Sequence, residues 1–151
     1  MEAESREVPN AKLRITDSLN DLSYNMIVIA NQKLTQDKLY RLCEAHFKTF
    51  VKFVADVERD ILAAGGELHA DAEALLVENG SLQKDLWGGN LFPWKKPSER
   101  LEYTAFINIR PRNHNPAMEV MDKGIRKKIR ELCERLLLPD DEKMSFPEPV
   151  E

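Results

Sequence analysis

Glycine-containing pairs divide the middle of the chain into short segments. Gly65-Gly66, Asn79-Gly80 and Gly88-Gly89 follow one another closely. Glycine weakens helix interiors and readily adopts the left-handed conformation of turns. Asn-Gly between two apolar segments is also the strongest short hairpin signal. We therefore expect a strand at 67–77, followed by a hairpin around Asn79-Gly80.

The segment 67–77 also has a helical alternative, because its Ala, Leu and Glu residues favour a helix. As a strand, it would place Glu67, His69, Asp71 and Glu73 on one face. As a helix, it would bring His69 and Glu73 together and turn Asp71 away. The flanking glycines favour the strand.

The other elements follow from periodicity and capping residues. A short strand begins at Met26. Thr35 is a helix N-cap, and apolar residues at steps of three and four predict one long helix from it to Gly65-Gly66. Alternation predicts a strand over 101–110, and Asp122 caps a last helix that ends before Pro139. The sum is a β-α-β-β-β-α order, an α+β single domain with a mainly antiparallel sheet and helices packed on one face.

A chain of 151 residues suits one domain. We expect a polar N-terminal extension at 1–25, the α+β domain at 26–138 and an acidic flexible tail at 139–151. Met26 could be the native start of the domain. The opening residues resemble no secretory signal, and Cys43 and Cys133 lack metal-ligand spacing. These features predict a reduced, soluble, cytoplasmic protein without a membrane span.

The charge is unevenly distributed along the chain. Residues 1–93 carry 10 basic and 15 acidic side chains, 94–138 carry 11 and 6, and 139–151 carry 1 and 5. The basic third could face an anion or simply be a solvated surface. The overall charge of −4 lacks the excess typical of a dedicated nucleic-acid binder. An anionic small molecule or a protein is therefore the preferred partner, and pairing of the first strand with a second copy is open.

Polar side chains would converge if the faces of two strands coincide. Asn108 and Arg110 lie on the polar face of the 101–110 strand, and Trp87 and Asn90 flank Gly88-Gly89. Such convergence builds an active site or an anion pocket. His69, Asp71 and Arg110 are the candidate catalytic residues. The candidate binding residues are Glu67, Glu73, Trp87, Asn90 and Asn108.

His69 and Asp71 could hold a metal ion, or act as a base and the carboxylate that orients it. A solvated polar strand face is the simpler interpretation. We find no phosphate-binding glycine loop, nucleophile elbow or zinc-protease motif. The sequence therefore identifies neither a metal nor a cofactor.

Four blocks carry a resemblance to a known family. They are Gly65-Gly-Glu-Leu-His-Ala-Asp, Glu78-Asn-Gly-Ser, Asp85-Leu-Trp-Gly-Gly-Asn-Leu and Ile107-Asn-Ile-Arg-Pro. They resemble a small uncharacterised prokaryotic domain-of-unknown-function family over about residues 26–137. The resemblance implies a compact cytosolic domain and no particular activity.

Two functional hypotheses follow. The first is a small binding or regulatory module whose polar sheet face suits an anionic ligand or partner. The alternative is a small hydrolase or nuclease-like enzyme, with or without the assistance of a metal ion, that uses His69 and Asp71. A third hypothesis is RNA binding through the basic last helix.

Overall fold

The computed structural model describes residues 26–148, so the predicted extension at 1–25 lies outside the described residues. Within this range, five strands form one antiparallel sheet and three α-helices pack on it, which confirms the α+β class. The strands are β1 (Ile27–Ala30), β2 (Val51–Asp56), β3 (Ile61–Gly65), β4 (Leu86–Leu91) and β5 (Leu101–Glu102). The helices are α1 (Gln36–His46), α2 (His69–Glu78) and α3 (Lys123–Leu136).

The sheet order is β1-β3-β2-β4-β5, with every neighbouring pair antiparallel. β2 and β3 form a hairpin at its centre. The element order is therefore β-α-β-β-α-β-β-α, with one helix and one strand more than expected.

Helices cover both faces of the sheet rather than the one face expected. On one face, α1 and α3 pack through Leu39, Leu42, Ile129 and Leu136 onto a cluster that includes Phe53. On the other face, Ala72 and Leu76 of α2 pack against Ile27, Ile29, Val54 and Ala63. The central strands are thus buried on both sides, which gives near-continuous apolar sequences instead of alternation.

This double burial explains why the prediction of a helix from Thr35 to Gly65-Gly66 is wrong. The helix begins as expected, since Thr35 Oγ1 accepts a hydrogen bond from Lys38 N at 3.1 Å, but it ends at His46. Lys48 has a φ of 68°, and the chain then enters β2. Periodicity alone does not distinguish a short, fully buried strand from a helix.

The prediction of a strand at 67–77 is also wrong, because the helical propensity of its residues prevails in α2. Asn79-Gly80 ends this helix rather than making a hairpin. Gly80 has a φ of 110°, Gly80 N donates to Val77 O at 3.0 Å, and Ser81 N donates to Leu76 O at 2.9 Å. These two bonds form a Schellman motif, which satisfies the last carbonyls of the helix.

The prediction of a strand at 101–110 holds only for Leu101–Glu102. Beyond β5, residues 106–108 and 111–113 form single 3₁₀ turns, and the chain follows the edge of β4 without a regular backbone ladder.

The last helix starts and stops as predicted. Asp122 Oδ1 accepts from Ile125 N at 2.9 Å, and α3 ends at Leu136, before Pro139. The described tail, 139–148, lies against α1 and the loop after β4; its flexibility stays a prediction. Among residues 26–148, no helix has the length and apolarity needed to cross a membrane.

Candidate functional site

The buried side chain of Asn108 takes the place of a neighbouring strand beside β4. Gly88 N donates to Asn108 Oδ1 at 2.8 Å, and Asn108 Nδ2 donates to Gly88 O at 3.0 Å. The same Nδ2 also donates to Met118 O at 3.0 Å. A side-chain amide carries one acceptor and a two-proton donor, so it can match both backbone groups of one residue. Asn108 therefore continues the sheet where the backbone ladder stops.

Arg110 likewise bonds to a backbone group of β4, two residues before Gly88. Its Nη2 donates to Leu86 O, its Nε donates to Ile107 O at 3.0 Å, and its guanidinium lies 4.7 Å from the ring centroid of Trp87. Glu73 Oε2 approaches Nη2 at 3.7 Å.

The guanidinium of Arg110 is largely enclosed by these contacts. Burial lowers the pKa of Arg110, and the carboxylates of Glu73 and Asp85 oppose that shift. Nη1 is buried and has no hydrogen-bond partner among the described residues.

His69 and Asn90 lie further along β4. His69 Nε2 is 2.8 Å from Gly89 O. A carbonyl only accepts, so Nε2 carries the proton. Burial lowers the pKa of His69 below its ordinary 6.5, the bond to Gly89 raises it, and the charge of Lys52 lowers it further. Asn90 Nδ2 donates to Glu102 Oε1 at 3.1 Å on β5.

The structure thus brings Glu73, Trp87, Asn108 and Arg110 together, with His69 and Asn90 beside them on β4. It does not bring in Glu67 and Asp71, which are exposed. Because α2 is a helix, residues two apart point in different directions, so the proposed His69–Asp71 pair loses its geometric basis. The catalytic and binding roles of these eight residues stay predictions.

The convergent side chains bond mainly to backbone groups of their own fold. We call the set formed by His69, Glu73, Trp87, Asn108 and Arg110 the β4 edge cluster. Within residues 26–148, no group of three or more His, Cys, Asp or Glu residues could hold a metal ion. Nothing in the described part of the chain favours the hydrolase alternative.

A second cluster lies where β2 begins and β4 ends, and sequence reasoning missed it. Phe47 and Phe50 stack with ring centroids 4.6 Å apart at 15°, and Phe50 and Phe92 stack at 4.8 Å and 27°. Lys52 Nζ lies 4.9 Å from the Phe47 centroid, and Lys95 Nζ lies 4.5 Å from the Phe92 centroid. We call these three rings and two lysines the ring row.

The ring row forms because Val51 pairs with Leu91, which places the preceding Phe50 and the following Phe92 side by side. All three rings are half-buried, Lys52 is half-buried and Lys95 is exposed. Sequence reasoning had Phe47 and Phe50 inside an overlong helix. The sequence therefore predicted no aromatic surface at this position.

The basic face of α3 is partly engaged in the fold. Arg126 donates to Val120 O at 2.6 Å and lies over the Tyr103 ring, and Arg130 pairs with Asp140 at 2.8 Å. Lys127 and Lys128 are exposed. RNA binding through this helix stays a prediction.

The fold and the two clusters define a small α+β domain with a closed polar edge and an open aromatic and basic surface. The chain belongs to the family described as protein of unknown function (DUF5674), which matches residues 27–136. This confirms the domain-of-unknown-function resemblance; its restriction to prokaryotes stays a prediction. No curated protein and no solved structure matches the chain.

Proposed function

We propose that this protein is a binding module for an anionic ligand, and that the ligand binds at the ring row. The observation that carries the proposal is the pair of ammonium groups above the two outer rings. Neither Lys52 nor Lys95 forms an ion pair with any residue in the range 26–148. An anion can therefore bind them without displacing an internal partner.

The neighbouring lysines differ in this respect. Lys48 pairs with Glu44 at 3.4 Å, and Lys96 pairs with Glu99 at 3.8 Å. The β4 edge cluster differs as well, because Arg110 already contacts Glu73 and two carbonyls. Unlike these three cations, Lys52 and Lys95 have no carboxylate partner within residues 26–148 and can bind a ligand without breaking an ion pair.

The ligand class that fits is a nucleotide unit, either free or within a single strand. An exposed cation–π contact contributes about 0.5–1 kcal/mol. A base stacked on an aromatic side chain contributes about 1–3 kcal/mol. A base can therefore replace the ammonium that lies over the Phe47 or Phe92 ring, and the released lysine can contact the phosphate.

Binding of labelled oligouridine of about ten nucleotides tests this function. Two lysine–phosphate contacts predict a slope of log K against log salt of about −1.4. Lys52→Met and Lys95→Met should each reduce the slope by about 0.7. Uridine monophosphate and inorganic phosphate, added as competitors, show whether a single nucleotide or the phosphate alone suffices.

Lys84→Met is the matched control. It removes the same charge from an exposed lysine that pairs with Asp85 at 3.2 Å. If Lys52→Met and Lys95→Met weaken binding no more than Lys84→Met, or if none of the three probes binds, the proposed function is wrong.

We also propose a reducing, cytoplasmic location. Cys43 and Cys133 are both free and buried, as is usual for thiols in reducing compartments. Burial, with a smaller effect of Glu44, raises the pKa of Cys43 to about 12, which keeps the thiol protonated. Both thiols should react with a disulfide reagent only after unfolding; rapid reaction in the native state would contradict the burial on which this proposal rests.

A further inference from the structure

The C-terminal segment is held in a groove by side chains that contact its backbone. Arg100, which is 4% exposed, donates from Nη1 to Pro139 O at 3.1 Å and from Nη2 to Glu142 O at 2.7 Å. Trp94 Nε1 donates to Phe146 O at 2.9 Å. The groove therefore binds the tail largely through groups that any peptide carries.

Gln36, at the start of α1, provides the second wall of the groove. Its Nε2 donates to Lys143 O at 3.0 Å, and its Oε1 accepts from Ser145 N at 2.7 Å. Paired donor and acceptor contacts of this kind fix an extended segment in one register, as strand addition does.

One tail side chain packs against an aromatic ring of the groove. The Phe146 ring lies 4.9 Å from the Tyr40 ring, which in turn contacts Trp94 edge-to-face at 6.0 Å. Pro147 follows directly, which makes Phe-Pro the side-chain feature at this end of the groove.

Two cavities adjoin the tail among the described residues. A cavity of about 390 Å³, lined in part by Tyr40, Ala45 and Phe146, lies beyond the anchored ring. Another of about 420 Å³ separates the loop around Trp94 and Arg100 from Met144. Space on both sides indicates that the tail is not the only segment this groove can hold.

We infer that the groove is a peptide-binding site, occupied in cis by the tail, and that its partner is an extended acidic segment carrying Phe-Pro. Gln36, Tyr40, Trp94 and Arg100 lie within the family match, 27–136, and the tail lies outside it. Because the tail is tethered to the domain, its effective concentration at the groove is in the millimolar range typical of a short tether. A partner gains access when the tail is released. This inference concerns a different surface from the ring row and does not depend on nucleotide binding.

A labelled peptide with the sequence of residues 139–151 is the probe, and the full chain is the receptor. Phe146→Ala weakens the tail without altering the groove, so this variant should bind the peptide about tenfold more tightly than the unaltered chain. Adding Tyr40→Ala to it should remove the gain. A peptide in which alanine replaces the Phe of Phe-Pro is the matched control and should bind about tenfold more weakly.

The indole N–H signals provide a readout that does not depend on affinity. The chain has two tryptophans, and within residues 26–148 the indole that donates to the tail is that of Trp94. Peptide added to Phe146→Ala should shift the Trp94 signal and leave the Trp87 signal in place. No binding up to about 1 mM peptide, or equal binding by the Tyr40→Ala double variant, would overturn the inference. A concentration-dependent dimer of the unaltered chain would instead assign the groove to the tail of a second copy, and would also overturn it.

Discussion

The β4 edge cluster and the ring row lie along the same strand and use similar residue types in opposite ways. In the cluster, Asn108 is fully buried and Arg110 contacts two carbonyls and a carboxylate. In the ring row, the ammonium groups of Lys52 and Lys95 lie over ring faces and form no ion pair within residues 26–148. One region uses its polar groups to complete the sheet, and the other leaves them available to a ligand.

The difference shows that residue type is a weak guide to function when its hydrogen-bond partners are unknown. Buried polar groups need partners, and backbone groups at a sheet edge are ready partners. Residues that attract attention as catalytic types can therefore be structural. We therefore expect substitutions in the β4 edge cluster to lower stability, and substitutions in the ring row to weaken binding with little effect on stability.

The largest effect is expected at Asn108. Asn108→Ala leaves the buried N–H and C=O of Gly88 without partners, and each unsatisfied group costs about 1–3 kcal/mol. We expect the free energy of unfolding to fall by about 3 kcal/mol in urea denaturation. Asn113→Ala, which removes an exposed amide that donates to Lys84 O at 3.5 Å, is the control and should cost less than about 1 kcal/mol. Equal losses would remove the distinction between the cluster and its surroundings.

Gly88→Ala tests the close packing of the same edge. A Cβ on Gly88 would lie 2.7 Å from Ala105 Cβ and 3.1 Å from His69 Cδ2. Overpacking of this kind costs about 1–3 kcal/mol, so we expect a loss of about 2 kcal/mol in the same assay. Gly124→Ala, on α3, should change stability by less than about 1 kcal/mol. An unchanged Gly88→Ala variant would show that the edge is looser than these distances imply.

The imidazole of His69 predicts a pH dependence of stability. Its pKa is lower in the folded chain than in the unfolded chain, so the unfolded state binds the proton more readily. The stability that His69 contributes is complete above its ordinary pKa of 6.5 and is lost as the pH falls below that value. His69→Gln should therefore lose less stability than the unaltered chain between about pH 7.5 and pH 5.

His114→Gln, which alters an exposed imidazole, is the control for this series. A His69→Gln variant that follows the same acid dependence as the unaltered chain would contradict the burial argument.

The smallest effect on stability is expected in the ring row. Lys52→Met removes one cation–π contact, so the free energy of unfolding should change by less than about 1 kcal/mol. The same variant is expected to weaken nucleotide binding. A larger loss of stability would show that the ring row is also part of the structural framework, and the contrast between the two regions would fail.

The sequence predicts those features that depend on local chemistry. Thr35 and Asp122 cap their helices as expected, because an N-cap needs only a side-chain oxygen and the next three residues. The first strand and the α+β class also follow from sequence. These features involve contacts within one turn or one short segment.

Features that depend on distant partners were not predictable in this way. The spacing of the apolar residues in 50–61 also fits a helix, and only the position of β2 between β3 and β4 shows that they form strands. Asn79-Gly80 is equally compatible with a helix end and with a hairpin. The sequence predicted the convergence of Trp87, Asn108 and Arg110. It placed Asn108 and Arg110 on a regular strand over 101–110, however, and that strand ends at Glu102. The ring row was missed because the two sides of its stack, Phe50 and Phe92, are far apart in sequence.

The completion of β4 by side chains also bears on self-association. An open strand edge offers its N–H and C=O groups to strands of other molecules, and such edges promote aggregation. At Gly88 both backbone groups are already bonded to Asn108, and Leu86 O is bonded to Arg110. Asparagine and arginine thus cover the part of β4 that β5 does not reach, since β5 pairs with β4 only at Asn90 and Leu91.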